Sequence, residues 1–156
     1  MYFVMVIGLM VVLPAASVIV EFAASGGSVD LLDLVGKWFL FWGIGVRLFI
    51  AGLSQTFRPG FTVQNILGNA DTGATQIVKE LGFANLGFGL VGLIAPWIDG
   101  WSVPAALAPA LFLGLDGVVH LAKKHKNGKE WLATVTDLLI AVVLAIFVIR
   151  SLARGV

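Results

Sequence analysis

Between Tyr2 and Val20 the chain carries no charged residue, and that run limits the fold more than any other feature. A helix rises about 1.5 Å per residue, so about 20 apolar residues cross a hydrocarbon core of roughly 30 Å. Four more apolar stretches follow. Of all residues, 59% are hydrophobic and 12% charged, with a mean hydropathy of +1.00; a soluble domain needs more polar surface than this. The fold class expected is all-α: one polytopic transmembrane helical bundle over residues 1–156, with spans at about 2–23, 31–53, 76–95, 102–121 and 131–152.

Met1 to Phe22 superficially matches a secretory signal, with Ala23-Ala24-Ser25-Gly26 as a small-residue site. No Lys or Arg precedes its apolar core, however, so it reads as a retained first span. Pro14, at its centre, removes a backbone donor and predicts a kink. The longest connection, Ser54 to Thr75, contains Pro59 as a helix breaker. Gly68-Asn69 and Thr72-Gly73 favour turns there, and Val63 to Leu67 reads as a short interfacial helix.

The one dense basic loop is Lys123-Lys124-His125-Lys126-Asn127-Gly128-Lys129, which the positive-inside rule assigns to the cytoplasm. Five spans then put the N-terminus and the Ser54 to Thr75 loop on that side. Glu21, Asp30, Asp33 and Asp99 face outward, as do Arg150 and Arg154, which run against the rule. Trp97 and Trp101 at one face and Trp131 at the other suit interfacial belts.

Arg47, Glu80, Asn85, Asp116, His120 and Asp137 interrupt the apolar spans. Such groups are expensive in hydrocarbon, so each requires a partner or a purpose. With the topology above, most of them fall within about 10 Å of one depth in the cytoplasmic half, by the helical rise. Gly36, Gly43, Arg47 and Ser54 share a face of the second span. Gly82, Asn85, Gly89 and Gly92 form a small stripe on the third, and such stripes permit close helix approach. Glu80 lies about 140° from Asn85 at 100° per residue, which leaves it a place at the rim or a pairing with Lys79 or Arg47. Asp116 and His120, four residues apart, share a face of the fourth span, and Asp137 is the matching acid on the fifth, with Thr134 and Ala141 near its face. Three carboxylates oppose Arg47, a candidate Lys79 and a titratable His120. Either an acid is protonated or a cation joins them unless both of the latter contribute charge.

Several functions are excluded or disfavoured. Net charge is +1 and the basic residues form no patch interleaved with aromatics, so no nucleic-acid partner is expected. No cysteine is present, which removes disulfides, thiolate nucleophiles, iron-sulfur clusters and cysteine-ligated zinc. Asp116-x-x-x-His120 is too common a spacing to define a metal site, and the serines lack a nucleophile elbow. The glycines between residues 82 and 92 do not form a phosphate loop. The expectation is therefore no catalytic residues, no metal and no cofactor.

The segments Gly45-Val46-Arg47-Leu48-Phe49-Ile50-Ala51-Gly52-Leu53-Ser54-Gln55, Pro59-Gly60-Phe61-Thr62 and Lys79-Glu80-Leu81-Gly82-Phe83-Ala84-Asn85-Leu86 carry a resemblance. The chain resembles a family of uncharacterised small bacterial integral membrane proteins, a domain of unknown function with an (Arg/Lys)-Glu-(Leu/Ile/Val)-Gly-Phe-Ala-Asn core. More remotely it is similar to the DoxX-like membrane bundles, whose pattern implies four spans instead of five. The resemblance implies a helical bundle in the bacterial inner membrane and singles out Arg47, Glu80 and Asn85. It implies no activity.

The leading functional expectation is a non-enzymatic bundle acting by helix packing in membrane lipid. It would serve as an accessory or assembly subunit of a larger complex or as a homo-oligomer, through Gly36, Gly43, Gly82, Gly89 and Gly92. The alternative is a small proton- or cation-coupled carrier or channel using the intramembrane carboxylates. A membrane enzyme or quinone-associated redox protein is disfavoured, because no haem motif, paired membrane histidines or nucleophile is present.

Overall fold

The computed structural model describes residues 2–65 and 72–155. It is an all-α bundle, with no strand among the described residues. Five helices are long and apolar enough to cross a membrane: α1 (Phe3–Ala24), α2 (Leu31–Phe57), α4 (Gly73–Trp97), α5 (Ser102–Ala122) and α6 (Gly128–Arg154). The short helix α3 (Pro59–Asn65) lies between α2 and α4. Five spans, and not the four of the remoter resemblance, are therefore available.

Local sequence explains where these helices begin and end. Asn127 opens α6 with a capping box: its side chain accepts from the backbone of Lys129 and Glu130, and the Glu130 carboxylate accepts from the Asn127 backbone at 2.9 Å. α2 runs on to Phe57 because Pro59 bars helical backbone only at the residue before it, and Arg58 accordingly leaves the helix at φ −136°. Thr72-Gly73, expected as a turn, instead opens the helix Thr72–Ile94 that forms most of α4, where Thr and Gly are tolerated. Gly68-Asn69 lies outside the described residues, as do the last two residues of the interfacial helix expected over Val63 to Leu67; Val63 to Asn65 is helical.

Two helices are widened. In α1 the turn over Gly8–Val12 is π-helical, with the Leu13 N–H reaching back five residues to the Gly8 carbonyl. The widened turn lies directly ahead of Pro14, the residue that lacks a backbone donor. In α2, Leu40–Val46 is also π-helical, and the Arg47 N–H reaches back to the Trp42 carbonyl.

In lipid the hydrophobic effect does not press helices together, so close packing must do so. α2 runs along α4 and α5 along α6, and the two pairs join where α2 meets α6. Met10, Leu40, Ile44, Ile140 and Leu144 are fully buried at the centre. α2 and α4 touch backbone to backbone: a Cβ built on Gly45 would lie 2.9 Å from the Gly92 carbonyl carbon, and one on Gly92 2.7 Å from the Gly45 nitrogen. Only glycine permits this approach.

The end of the bundle away from the lysine loop is closed by ion pairs. Asp30 caps α2, accepting from the Leu32 N–H at 2.9 Å, and also binds Arg150 of α6 through two parallel bonds of 2.8 and 2.6 Å. Arg154 reaches Asp30 and Asp33 at 3.2 and 3.4 Å. The two arginines that run against the positive-inside rule thus have structural partners. Lys37 binds Glu21 at 2.7 Å and lies 4.9 Å from the centre of the Trp97 ring.

Partial loss of solvent pushes the Asp30 carboxyl up, but the backbone N–H of Asp33, the Arg150 guanidinium and the Leu32 N–H outweigh it and hold it below the ordinary 3.8. A lowered folded-state value stabilises the protein above the unfolded value and is lost as pH falls through the folded one. The stability gap between wild type and Arg150→Gln is therefore expected to be full at neutral pH and to close as pH falls below 3.8. Unfolding in detergent across that range checks it, and a gap independent of pH contradicts it.

Candidate functional site

At the lysine-loop end, a cavity of about 410 Å³ lies between the helices. Its walls are mostly apolar, with Met5, Val6 and Leu9 from α1, Leu48 from α2, Phe61 from α3 and Phe112 from α5. Into this space project Arg47, Ser54 and Gln55 of α2, Asn85 of α4, Asp116 and His120 of α5, and Glu130 and Asp137 of α6. A few polar groups converging in an apolar hollow of this size are the usual form of a small-molecule site.

The deepest element is the ion pair between Arg47 and Asp137. Asp137 is only 3% exposed, so each charge relies on the other. Gly36, Gly43 and Arg47 all face α6: a Cβ on Gly36 would strike Phe147, one on Gly43 would approach Ile140 to 2.8 Å, and Arg47 meets Asp137 in the same series. The second nitrogen, Nη1 of Arg47, is buried and lacks a hydrogen-bond partner.

Nearer the mouth, the His120 Nε2 lies 3.5 Å from an Asp116 oxygen. Glu130 is tied to Lys123 and to its own helix cap. Asn85 is buried; its Nδ2 donates to the Gln55 Oε1 at 2.7 Å, while its Oδ1 has no partner.

Five of the six polar residues expected to gather therefore line one cavity: Arg47, Asn85, Asp116, His120 and Asp137. Glu80 does not. It faces outward on α4 and accepts from Gln76 at 3.0 Å, one turn back on the same helix, so its pairing with Arg47 or Lys79 is replaced by a local one. The 140° separating it from Asn85 is the reason: the Asn85 face is committed to α2.

The glycines are committed as well. Gly82 packs on Gln55 and Thr56, Gly89 on the Phe49 backbone and Gly92 on Gly45, all inside this chain. Sequence reading missed Gly45 and Gly52, which complete the α2 side of that contact, and it missed Gln55 and Glu130 at the cavity. Asn127-x-x-Glu130 was the available signal for the last, since a capping box turns its acid back onto the helix start. Gln55 stands at the end of a segment that carries the family resemblance, but its role depends on where α4 places Asn85.

The fold and site together define a polytopic helical membrane protein with a mostly apolar cavity into which a few polar groups converge. The chain belongs to the family of unknown function DUF6790, whose family model matches residues 1–155. Neither the curated proteins nor the solved structures contain a detectable match to it.

Proposed function

We propose that the protein is a small proton- or cation-coupled carrier of the bacterial inner membrane, with the cavity as its solute site and the lysine loop in the cytoplasm. The observation that carries this reading is the cavity of about 410 Å³ into which Arg47, Asn85, Asp116, His120 and Asp137 converge. A bundle serving only to pack has no use for such a hollow, which forfeits dispersion contacts along its lining. The glycine stripes that suit packing against another subunit are occupied by this chain's own helices.

The ionisable groups form a series along the cavity. Asp137 and Glu130 are buried in ion pairs with Arg47 and Lys123, and Asp116 beside His120 is the more open acid. Intramembrane acids in such a series are the ordinary equipment of proton-coupled transport. The excess of Lys and Arg at the cavity end supports the cytoplasmic orientation.

Purified protein in liposomes supplied with a mixture of small polar solutes as cargo is expected to move protons, under an imposed pH gradient, faster than protein-free liposomes given the same mixture. Asp116→Asn should reduce this flux at least about tenfold, an effect of roughly 1.4 kcal/mol or more on the barrier, while circular dichroism and elution volume stay unchanged. Flux equal to that of protein-free liposomes overturns the carrier reading.

A further inference from the structure

We propose that the lysine loop is a docking surface for anionic phospholipid headgroups. This stands apart from the carrier reading and needs only that α5 and α6 cross the bilayer. From Lys123 to Glu130 the chain carries four lysines against one acid. That acid, Glu130, is buried, lines the cavity and is held by Lys123 and by the Asn127 backbone. The outer surface of the loop is therefore cationic. Lys124 is exposed and, among the described residues, has no ion-pair partner. The opposite end of the bundle differs, because Lys37, Arg150 and Arg154 there are answered by Glu21, Asp30 and Asp33 of the same chain. Positive charge left unanswered at one end only calls for a negative partner from outside the chain.

The loop is a folded structure. The Lys126 Nζ donates to the carbonyls of Leu121 and Lys123 at 3.1 and 2.6 Å, which closes the end of α5, and it stands 4.7 Å from the centre of the Trp131 ring. The Asn127–Glu130 capping box fixes the start of α6. The lysines thus hang on a turn anchored to two spans at both of its ends. Their depth is given by Trp131, which is half-exposed in the first turn of α6, with the half-exposed Val135 one turn further along the same face; Leu121 is half-exposed at the end of α5. A tryptophan beside outward-facing aliphatics marks the level of the headgroups. Ammonium groups at this level meet lipid phosphates, while Leu121 and Val135 meet acyl chains. Each lysine near an anionic membrane surface raises affinity about fivefold. An acidic protein segment has the same charge, but headgroups stand at the level of the lysines whenever the spans are in place, which favours the lipid.

The test uses the whole chain in nanodiscs made of equal parts phosphatidylglycerol and phosphatidylcholine. After mild release into detergent, native mass spectrometry counts the lipids that each protein molecule retains. Phosphatidylglycerol is expected to be retained at least about tenfold over phosphatidylcholine, the effect of two or three lysines. The preference should vanish near about 1 M salt, where the screening length shrinks to about 3 Å. The triple variant Lys124→Gln/Lys126→Gln/Lys129→Gln should lose the preference, and Lys124→Arg/Lys126→Arg/Lys129→Arg should keep it. Lys124→Gln alone, at an exposed position, should lower it several-fold and decides the matter if the glutamine triple variant does not fold. Equal retention of the two lipids by wild type overturns the proposal, as does a preference that survives loss of the lysines. Binding of polyglutamate without any lipid preference also overturns it and reassigns the loop to an acidic protein segment. Proton flux in liposomes tests the carrier reading separately, so either can fail without the other.

Discussion

Arg47→Ala is expected to destabilise the bundle by about 3–5 kcal/mol, because it leaves the Asp137 carboxylate buried with no partner. The size follows from the asymmetry of buried ion pairs. Forming one gains little net free energy, since both ions are desolvated, whereas removing one partner exposes the full penalty of the other. Asp137→Asn should cost less than Arg47→Ala, because an amide still accepts a hydrogen bond from the guanidinium. Replacing both residues with leucine should recover much of the loss, as apolar substitutes for a buried pair are often neutral or better. Equilibrium unfolding in mixed micelles, followed by helical signal, measures all three. Unchanged stability in Arg47→Ala contradicts the paired, buried arrangement, and a double variant no better than Arg47→Ala contradicts the asymmetry.

Gly45→Val should be nearly as severe, at about 3 kcal/mol, the upper end for overpacking a close-packed core. The added Cβ would sit 2.9 Å from both the Gly92 carbonyl carbon and the Leu93 nitrogen. These are backbone atoms of α4, so no flexible side chain can swing aside. α2 and α4 must separate along their length, and the dispersion contacts holding them in lipid weaken together. Gly87→Ala is the control, since a Cβ there meets nothing within 4 Å and should alter stability by no more than about 0.5 kcal/mol. The same unfolding measurement separates them; equal effects at the two positions would show that the α2–α4 contact is looser than the backbone distances indicate.

The carrier reading and the packing contacts meet in α2. Its π-helical turn over Leu40–Val46 ends at Arg47, and such widened turns recur at functional positions because they re-aim the residues that follow. One face of the helix then presents Gly36, Gly43 and Arg47 to α6, while another presents Gly45 and Gly52 to α4. A single helix thus fixes the ion pair and the closest packing contact of the bundle.

Much of this was legible in the residues. The apolar runs required five long helices, because a chain this poor in polar surface has no soluble alternative. The rarity of polar and ionisable groups in hydrocarbon singled out Arg47, Glu80, Asn85, Asp116, His120 and Asp137 one by one, and all but Glu80 line the cavity. The glycine spacings marked helix faces built for close approach.

Partner choice was not legible. Glu80, Asp116 and Asp137 lie within reach of Arg47 by depth alone, and helix rotation selected among them: α2 turns Arg47 toward α6, while α4 commits its Asn85 face to α2 and leaves Glu80 outside. The same spacing of glycines serves equally for contact within a chain or between chains. Only tertiary packing determined that Gly92 meets Gly45 of this chain. The cavity belongs to neither local pattern nor composition, since a hollow is volume that six helices leave unfilled. Hydropathy and spacing are properties of one helix at a time and determined what each span is and how deep its polar groups lie. Rotation and separation are properties of pairs of helices, so the structure alone decided which groups touch and where the space between them remains.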